Sequence, residues 1–209
     1  SWNDIWSYPG YKERDILPGD YKYEDWNGDG EINGQDEHPF AFDQTPWLQF
    51  SLNAGLQWKN LDFNMLLQGS ALGSMEYKEP LHEIWGKNGG GALTQFLDRW
   101  HPVDPKADPY DPSTVWTSGH YAYTGRWAKN NSAFNRVSTA YLRLKSIELG
   151  YTFPKLKQIP NASLRIYANA YNLLTFTGVK FVDPEHPDDD LGRMYPLNKT
   201  YTLGVSLSF

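Results

Sequence analysis

The chain of 209 residues contains no cysteine. That absence removes disulfide staples, cysteine-ligated zinc and thiol catalysis together. Nor does any apolar run approach the roughly 20 residues that carry an α-helix across a bilayer, which excludes a helical membrane protein. Positive charge is scarce: 19 Lys and Arg stand against 25 Asp and Glu, for a net charge of −6. With no dense basic cluster, nucleic acid is excluded as a partner. A phosphate-binding glycine loop and a serine nucleophile elbow are both missing. His38, His82, His101, His120 and His186 show no ligand spacing and read as surface or loop residues. Asp183, Glu185 and Asp188–Asp190, with the pairs Asp108/Asp111 and Glu76/Glu79, single out no acid and base for glycoside hydrolysis. They read as solvated loop charge, and the chain as no enzyme.

What is present is aromatic and alternating. Aromatic residues make up 16% of the chain, although mean hydropathy is only −0.64. Polar loops joined to aromatic-rich strands produce that mixture. In the last nine residues Tyr201, Leu203, Val205, Leu207 and Phe209 alternate with Thr202, Gly204, Ser206 and Ser208, the period of a strand with one apolar face. Leu48 to Trp58 alternates more cleanly still, with Leu48, Phe50, Leu52, Ala54, Leu56 and Trp58 on one face. Lys59-Asn60 is short enough for a hairpin turn. Leu61, Phe63, Met65 and Leu67 then return on the apolar face. A third strand is expected over Tyr141 to Phe153. There Leu142 and Leu144 have the opposite parity to Ile147, Leu149, Tyr151 and Phe153. This implies a bulge near Lys145–Ser146 or an exit from the membrane. Leu164, Ile166, Ala168 and Ala170 alternate with polar residues as far as Tyr171 in a fourth strand, and a second polar loop is expected from Thr175 to about Arg193.

Between Gly69 and Tyr141 the alternation lapses through Gly89-Gly90-Gly91 and many prolines, with two short helices expected around Glu76–Trp85 and Ala92–Trp100. So long an insertion usually signals a functional loop. Trp85, Trp100, Trp116, Trp127, Tyr121 and Tyr123 all lie in it, suited equally to ligand contact and to packing of the loop on itself. Connections after the opening segment run short, long, short, long. Outer-membrane barrels place short turns on the periplasmic side and long loops outside. That rule puts Lys59-Asn60 and Pro154–Asn161 inside, and residues 1–46, 70–140 and 174–194 outside. A soluble, secreted carbohydrate-binding or hydrolase β-domain is the alternative, but it predicts no such rule. The chain begins at Ser1 with neither Met nor a signal peptide and is expected to be a fragment or processed piece.

The sharpest motif is Asp25-Trp-Asn27-Gly-Asp29-Gly30-Glu31-Ile-Asn33-Gly-Gln-Asp36. Oxygen-bearing side chains fall at loop positions 1, 3, 5, 9 and 12 with glycine at 6, as a calcium loop requires. Asp25, Asn27, Asp29 and Asp36 would ligate through side chains, Glu31 through its carbonyl and Asn33 through water. Asp at position 12 reaches less far than the usual Glu, and no helical pattern flanks the loop. A metal-free Asx-rich turn is the competing reading.

Together, several elements resemble one family in order and spacing. They are the calcium-like loop before a strand pair, Phe96-Leu-Asp-Arg99-Trp100, Tyr141-Leu142-Arg143-Leu144-Lys145, Leu149-Gly150-Tyr151-Thr152, Arg165-Ile-Tyr167, Asn172-Leu173 with Thr175-Phe-Thr-Gly178, and the terminal Phe209. The chain resembles the carboxy-terminal part of SusC/RagA-type TonB-dependent transporters of Bacteroidetes outer membranes. The resemblance implies an all-β fold: the last strands of an antiparallel transmembrane barrel of roughly 22 strands with a plugged lumen. Residues 1–209 would belong to one barrel domain, the plug lying elsewhere. It further implies TonB-energised import of oligosaccharides, peptides or other bulky nutrients across the outer membrane. The partners would be the rest of the barrel and plug, TonB, a SusD-like surface lipoprotein and outer-membrane lipid.

Overall fold

Five long strands carry the alternation seen in the sequence. They are β1 (Leu48–Trp58), β2 (Leu61–Ala71), β3 (Tyr141–Phe153), β4 (Ser163–Thr177) and β5 (Thr200–Ser208). In the computed structural model they form one antiparallel sheet in the order β1-β2-β3-β4-β5. Each strand thus pairs with its neighbours in sequence, the up-and-down connectivity of a barrel wall. The structure describes residues 2–9, 16–82, 84, 92–123, 132–154, 162–185 and 194–209. Two compact units emerge: Ser1–Ala41 with Glu76–Arg136, and Phe42–Met75 with Val137–Phe209. The sheet belongs to the second.

Register turns each strand's period of 2 into a two-faced surface. One row runs Leu56, Phe63, Leu149, Ala168, Leu203, a residue from every strand. The adjacent row, on the opposite face, runs Gly55, Asn64, Glu148, Asn169, Thr202. The apolar face is uncovered: Leu56 is 66% exposed and Leu203 78%. A soluble sandwich would bury those side chains beneath a second sheet. Here they meet the surroundings directly, as the lipid face of a barrel does.

The parity break in β3 is a bulge. Pairing of β3 with β2 shifts between Leu66 and Leu67, and with β4 between Leu144 and Ser146, so Lys145 is the extra residue. It brings Leu142 and Leu144 onto the same face as Ile147 and Leu149. Across the bulge, β4 inserts Asn172 and Leu173, with Asn172 in the left-handed region at φ 53°. The fourth strand therefore continues past the last alternating residue, Tyr171, and into the loop expected from Thr175. It resumes with Arg143 opposite Thr175 and Leu142 opposite Phe176, and runs to Thr177. Asparagine tolerates φ > 0 better than most residues, which is why the strand bends there rather than stopping.

Lys59-Asn60 closes the β1–β2 hairpin, with Lys59 at φ 55°, as primed turns require of their first central residue. Trp58, Tyr151 and Phe153 cluster at this end, and the rings of the last two lie 4.7 Å apart. The other short connection, expected over Pro154–Asn161, lies outside the described residues apart from Pro154.

The first unit is built mostly from turns, with one short antiparallel ladder between His101–Pro102 and Trp116–Thr117. Helix α1 covers Trp2–Ser7, an element the sequence had not signalled. The two helices expected at Glu76–Trp85 and Ala92–Trp100 are single 3₁₀ turns, Glu79–Leu81 and Thr94–Leu97. Neither segment has enough apolar repeats to extend a helix, and Pro80 lacks the N–H that one would use. Trp85 and Gly89-Gly90-Gly91 lie outside the described residues. Leu17, Leu81, Ile84, Phe96 and Ala122 form the small core.

The facing makes a test. Leu52→Arg or Val205→Arg, on the apolar face near its middle, should cost the intact barrel about 2–4 kcal/mol in a bilayer. Asn53→Arg, one residue away on the polar face, should cost far less. Urea unfolding in lipid vesicles measures both, and equal losses would reverse the assignment.

Candidate functional site

The polar face carries charge where the apolar face carries none. Arg165 on β4 reaches across β3 to Asp62 on β2. Its Nε donates to Asp62 Oδ1 at 3.1 Å, and Nη2 donates to Asp62 Oδ2 and, at 2.7 Å, to Glu148 Oε1. The strand between leaves room because Gly150 stands there. A Cβ at Gly150 would lie 2.4 Å from Arg165 Nη2. Beside this pair Tyr167 lies flat under the guanidinium, 4.8 Å from it. Gly204 makes that possible, since a Cβ there would sit 2.2 Å from the ring. The cluster is a paved floor. Two carboxylates share one guanidinium, and all three side chains keep about a quarter to a third of their surface open.

A second arginine is buried outright. Arg143 on β3 is 1% exposed. Its Nη1 donates to Glu185 Oε2 and Nη2 to Asp183 Oδ2, each at 2.6 Å, while Nε donates to Thr175 Oγ1 at 3.0 Å. Tyr141 packs its ring 5.2 Å from the guanidinium and donates its hydroxyl to Glu185 Oε1 at 2.9 Å. Asp183 and Glu185 are thus structural partners, not the solvated loop charge read from the sequence. The pairing was invisible there because about 40 residues separate the arginine from its acids. Between them Pro184 is buried, and Glu185 N–H donates to Asp183 Oδ1 at 3.0 Å. The segment is a short strap clasped to the polar face. It forms part of the wall of a cavity of about 760 Å³ at the end of the sheet away from the Lys59-Asn60 turn.

Among the other acids, Asp108 and Asp111 fit the loop-charge reading. Each accepts backbone N–H groups two residues on, Tyr110 and Ser113 respectively. The Ser113 N–H and hydroxyl together hold the Asp111 carboxyl below the usual carboxylate range. Glu76, by contrast, is 2% exposed, and His82 is 3% exposed. Both readings as surface groups are corrected by tertiary packing that no local pattern announces. His38 stacks on Trp26 at 3.8 Å. Asp188–Asp190 and His186 lie outside the described residues, as does the side chain of Glu79.

The loop from Asp25 to Asp36 winds tightly on itself. Asp25 Oδ1 accepts from Gly28 N–H at 2.7 Å and Oδ2 from Gly30 N–H at 2.9 Å. Asn27 Oδ1 accepts from Asp29 N–H, and Asp29 Oδ1 from Glu31 N–H. Asp36 closes the ring, accepting from Trp26 N–H at 2.9 Å and Asn33 N–H at 2.7 Å. Gly28 and Gly30 supply the positive φ angles, 75° and 81°. The side chains of Asp25, Asn27, Asp29 and Asp36 are thus gathered within one turn, with Glu31 contributing backbone. Among the described residues, no group of three or more His, Cys, Asp or Glu side chains converges as a metal cage.

Aromatics of the long insertion pack on one another. Trp116 meets Tyr123 at 5.3 Å, and Tyr121 meets Phe96 at 4.9 Å. Tyr21 lies 4.6 Å from Phe134. Burial pushes the Tyr21 phenol up to about 12, and Asp20 beside it is raised by the same desolvation. For Trp85 and Trp127, outside the described residues, the choice between packing and ligand contact stays where the sequence left it.

The Arg143 clasp gives a test of stability. Arg143→Leu leaves Asp183 and Glu185 without their cation in a partly buried site. Because both acids keep some solvent, the cost should be about 1–3 kcal/mol. The triple change with Asp183→Asn and Glu185→Gln should recover part of it. Thermal unfolding of the intact protein, with limited proteolysis near residues 183–185, reads both effects.

Comparison with known proteins places this geometry. No family model matches the chain. It is 28% identical to TonB-dependent receptor P3 of Formosa agariphila over 93% of its length, and 28% identical to TonB-dependent receptor P26 of the same organism over 96%. It spans about a fifth of those relatives, 19% and 20%. Among solved structures it resembles the RagAB peptide transporter, with a TM-score of 0.59 and 22% identity over 86% of this chain and 19% of that one. The RagAB peptide importer in its 'closed-closed' state gives a TM-score of 0.59 and 22% identity, covering 92% of this chain and 21% of that one. The likeness to RagAB is one of fold. The chain is thus similar along nearly its whole length to one segment of TonB-dependent receptors, and its fold is that of a piece of a large antiparallel β-barrel.

Proposed function

We propose that the protein to which this segment belongs imports bulky nutrients, oligosaccharides or peptides, across the bacterial outer membrane. TonB energises the transport, and a SusD-like surface lipoprotein covers the outer mouth. One observation carries the reading: homology to TonB-dependent receptors along 93% of the chain coincides with a sheet that is apolar on one face and ion-paired on the other. Such a sheet suits a wall between lipid and a polar lumen. The test is a strain lacking the full-length protein. It should lose growth on at least one oligosaccharide or peptide source used by the parent, and collapsing the proton motive force should reproduce that loss of uptake. Growth unchanged on every such source would overturn the reading. The partner is tested by purifying the transporter from outer membranes, where a surface lipoprotein should accompany it.

For the Asp25–Asp36 loop, we propose one calcium ion, held by Asp25, Asn27, Asp29 and Asp36 and by the Glu31 carbonyl, with a structural role. Carboxylates crowded into one turn repel each other until a divalent cation neutralises them, and an outside location supplies that cation. Extracellular modules bind at about 10⁻⁴–10⁻³ M. Millimolar calcium should therefore raise the thermal unfolding temperature of the full-length protein, and Asp25→Asn with Asp29→Asn should abolish the rise. No calcium effect in the wild type would leave the Asx-turn reading in its place.

A further inference from the structure

The cavity beside the strap is built in an uncommon way. Its volume of about 760 Å³ lies within the roughly 300–1,000 Å³ of small-molecule sites. Gln49 and Ser51 of β1, Gln68 and Ser70 of β2, and Gln44 before them line it. Among the described residues none of these five side chains makes a hydrogen bond. Two of its polar residues are buried as well: Ser70 and Thr139 are each 5% exposed, and Thr139 Oγ1 has no partner. Buried polar atoms are nearly always satisfied, so each exception asks for a missing partner.

The charge in the wall is spent. Glu185 is its carboxylate, and both oxygens are engaged, one by the Tyr141 hydroxyl and one by Arg143. Among the described residues no Lys or Arg lines the cavity. Those residues therefore present no free cation for an anionic ligand and no free anion for an amine. Its uncharged polar groups are side-chain amides, each with a donor and an acceptor side by side, and hydroxyls that do both, set among the apolar Pro46, Leu66 and Met75. Vicinal hydroxyls on a sugar ring match that pattern, each one donating and accepting. A peptide would bring charged termini and ionised side chains into a wall with nothing to answer them, at a desolvation cost.

We propose that this cavity is a binding subsite for a neutral oligosaccharide, contacted by Gln44, Gln49, Gln68, Ser70 and Thr139, with the Arg143-clasped strap as one wall. The proposal deepens the import reading and rests on it. Its test uses the full-length transporter in detergent micelles against three probe sets. These are neutral hexasaccharides (maltohexaose, laminarihexaose and mannohexaose), the acidic hexagalacturonate, and uncharged end-capped hexapeptides. A neutral hexasaccharide should bind, and Gln49→Ala and Gln68→Ala should each weaken it at least tenfold. Asn64→Ala, on the same face towards the short turn, should leave affinity unchanged. Heat-modifiable gel mobility confirms that each variant barrel has folded, and two glutamines allow for one that does not. The proposal is overturned if no neutral glycan binds, if hexagalacturonate or the peptides bind more tightly, or if both Gln variants bind as the wild type does. Cellular uptake separates the two failures. A transporter that feeds cells on peptides yet ignores neutral glycans would refute the subsite and leave import standing, whereas glycan binding without uptake of any nutrient would refute import.

Discussion

A β-strand's backbone carries a donor and an acceptor at every residue, and hydrocarbon supplies partners for neither. Everything else in the sheet follows from that constraint. Strands must pair along their length, and the pairing fixes which side chains share a face. Each face then has to suit a different medium. The bulge at Lys145 illustrates how strictly the requirement is met. One extra residue would turn the rest of β3 inside out, with Leu142 and Leu144 facing the polar side. The chain instead absorbs it locally, and Asn172 takes a left-handed conformation on the facing strand to keep the ladder closed.

Within the polar face, glycine acts as a missing side chain rather than as a flexible hinge. Gly150 and Gly204 sit beneath side chains that span neighbouring strands, so Arg165 can bridge β2 and β4 over the strand between. Polar contacts on this face therefore run across the strands. They lock the sheet's shear as well as its pairing, and they do so without filling the lumen. Arg143 uses another geometry: fully enclosed, with its donors shared among two carboxylates and a hydroxyl, it ties a loop to the wall.

The sequence was most legible where structure is set by neighbours two residues apart. Alternation from Leu48 to Trp58 is unbroken, so strand, facing and hairpin turn could be placed from it, and the parity change at Lys145 announced the bulge. It was least legible where partners are distant. Asp183 and Glu185 look like ordinary loop acids until Arg143 is brought beside them from some 40 residues away. Glu76 and His82 look exposed because nothing adjacent predicts their burial. The cavity illustrates the same limit. Alternation alone puts Gln49 and Gln68 opposite the apolar face, but their convergence with Gln44 and Thr139 depends on register and loop path together.

The unequal lengths of the strands also locate the membrane surface. β5 begins at Thr200, opposite Tyr171, while β4 continues to Thr177 paired only with β3. Six residues at about 3.3 Å each carry the four strands β1 to β4 some 20 Å past the end of β5. Among the described residues, the β4 edge of that extension has no strand beside it, and an unpaired edge cannot stand in hydrocarbon. Along this edge of the sheet hydrocarbon must give way to headgroups and water near Tyr171, with Phe176 in the interfacial zone where aromatic rings settle. Arg143 and its strap then lie above that boundary. The barrel wall does not stop at the membrane surface on this side but stands out of it as a parapet, and the loop clasped to it is held at a fixed height above the lipid.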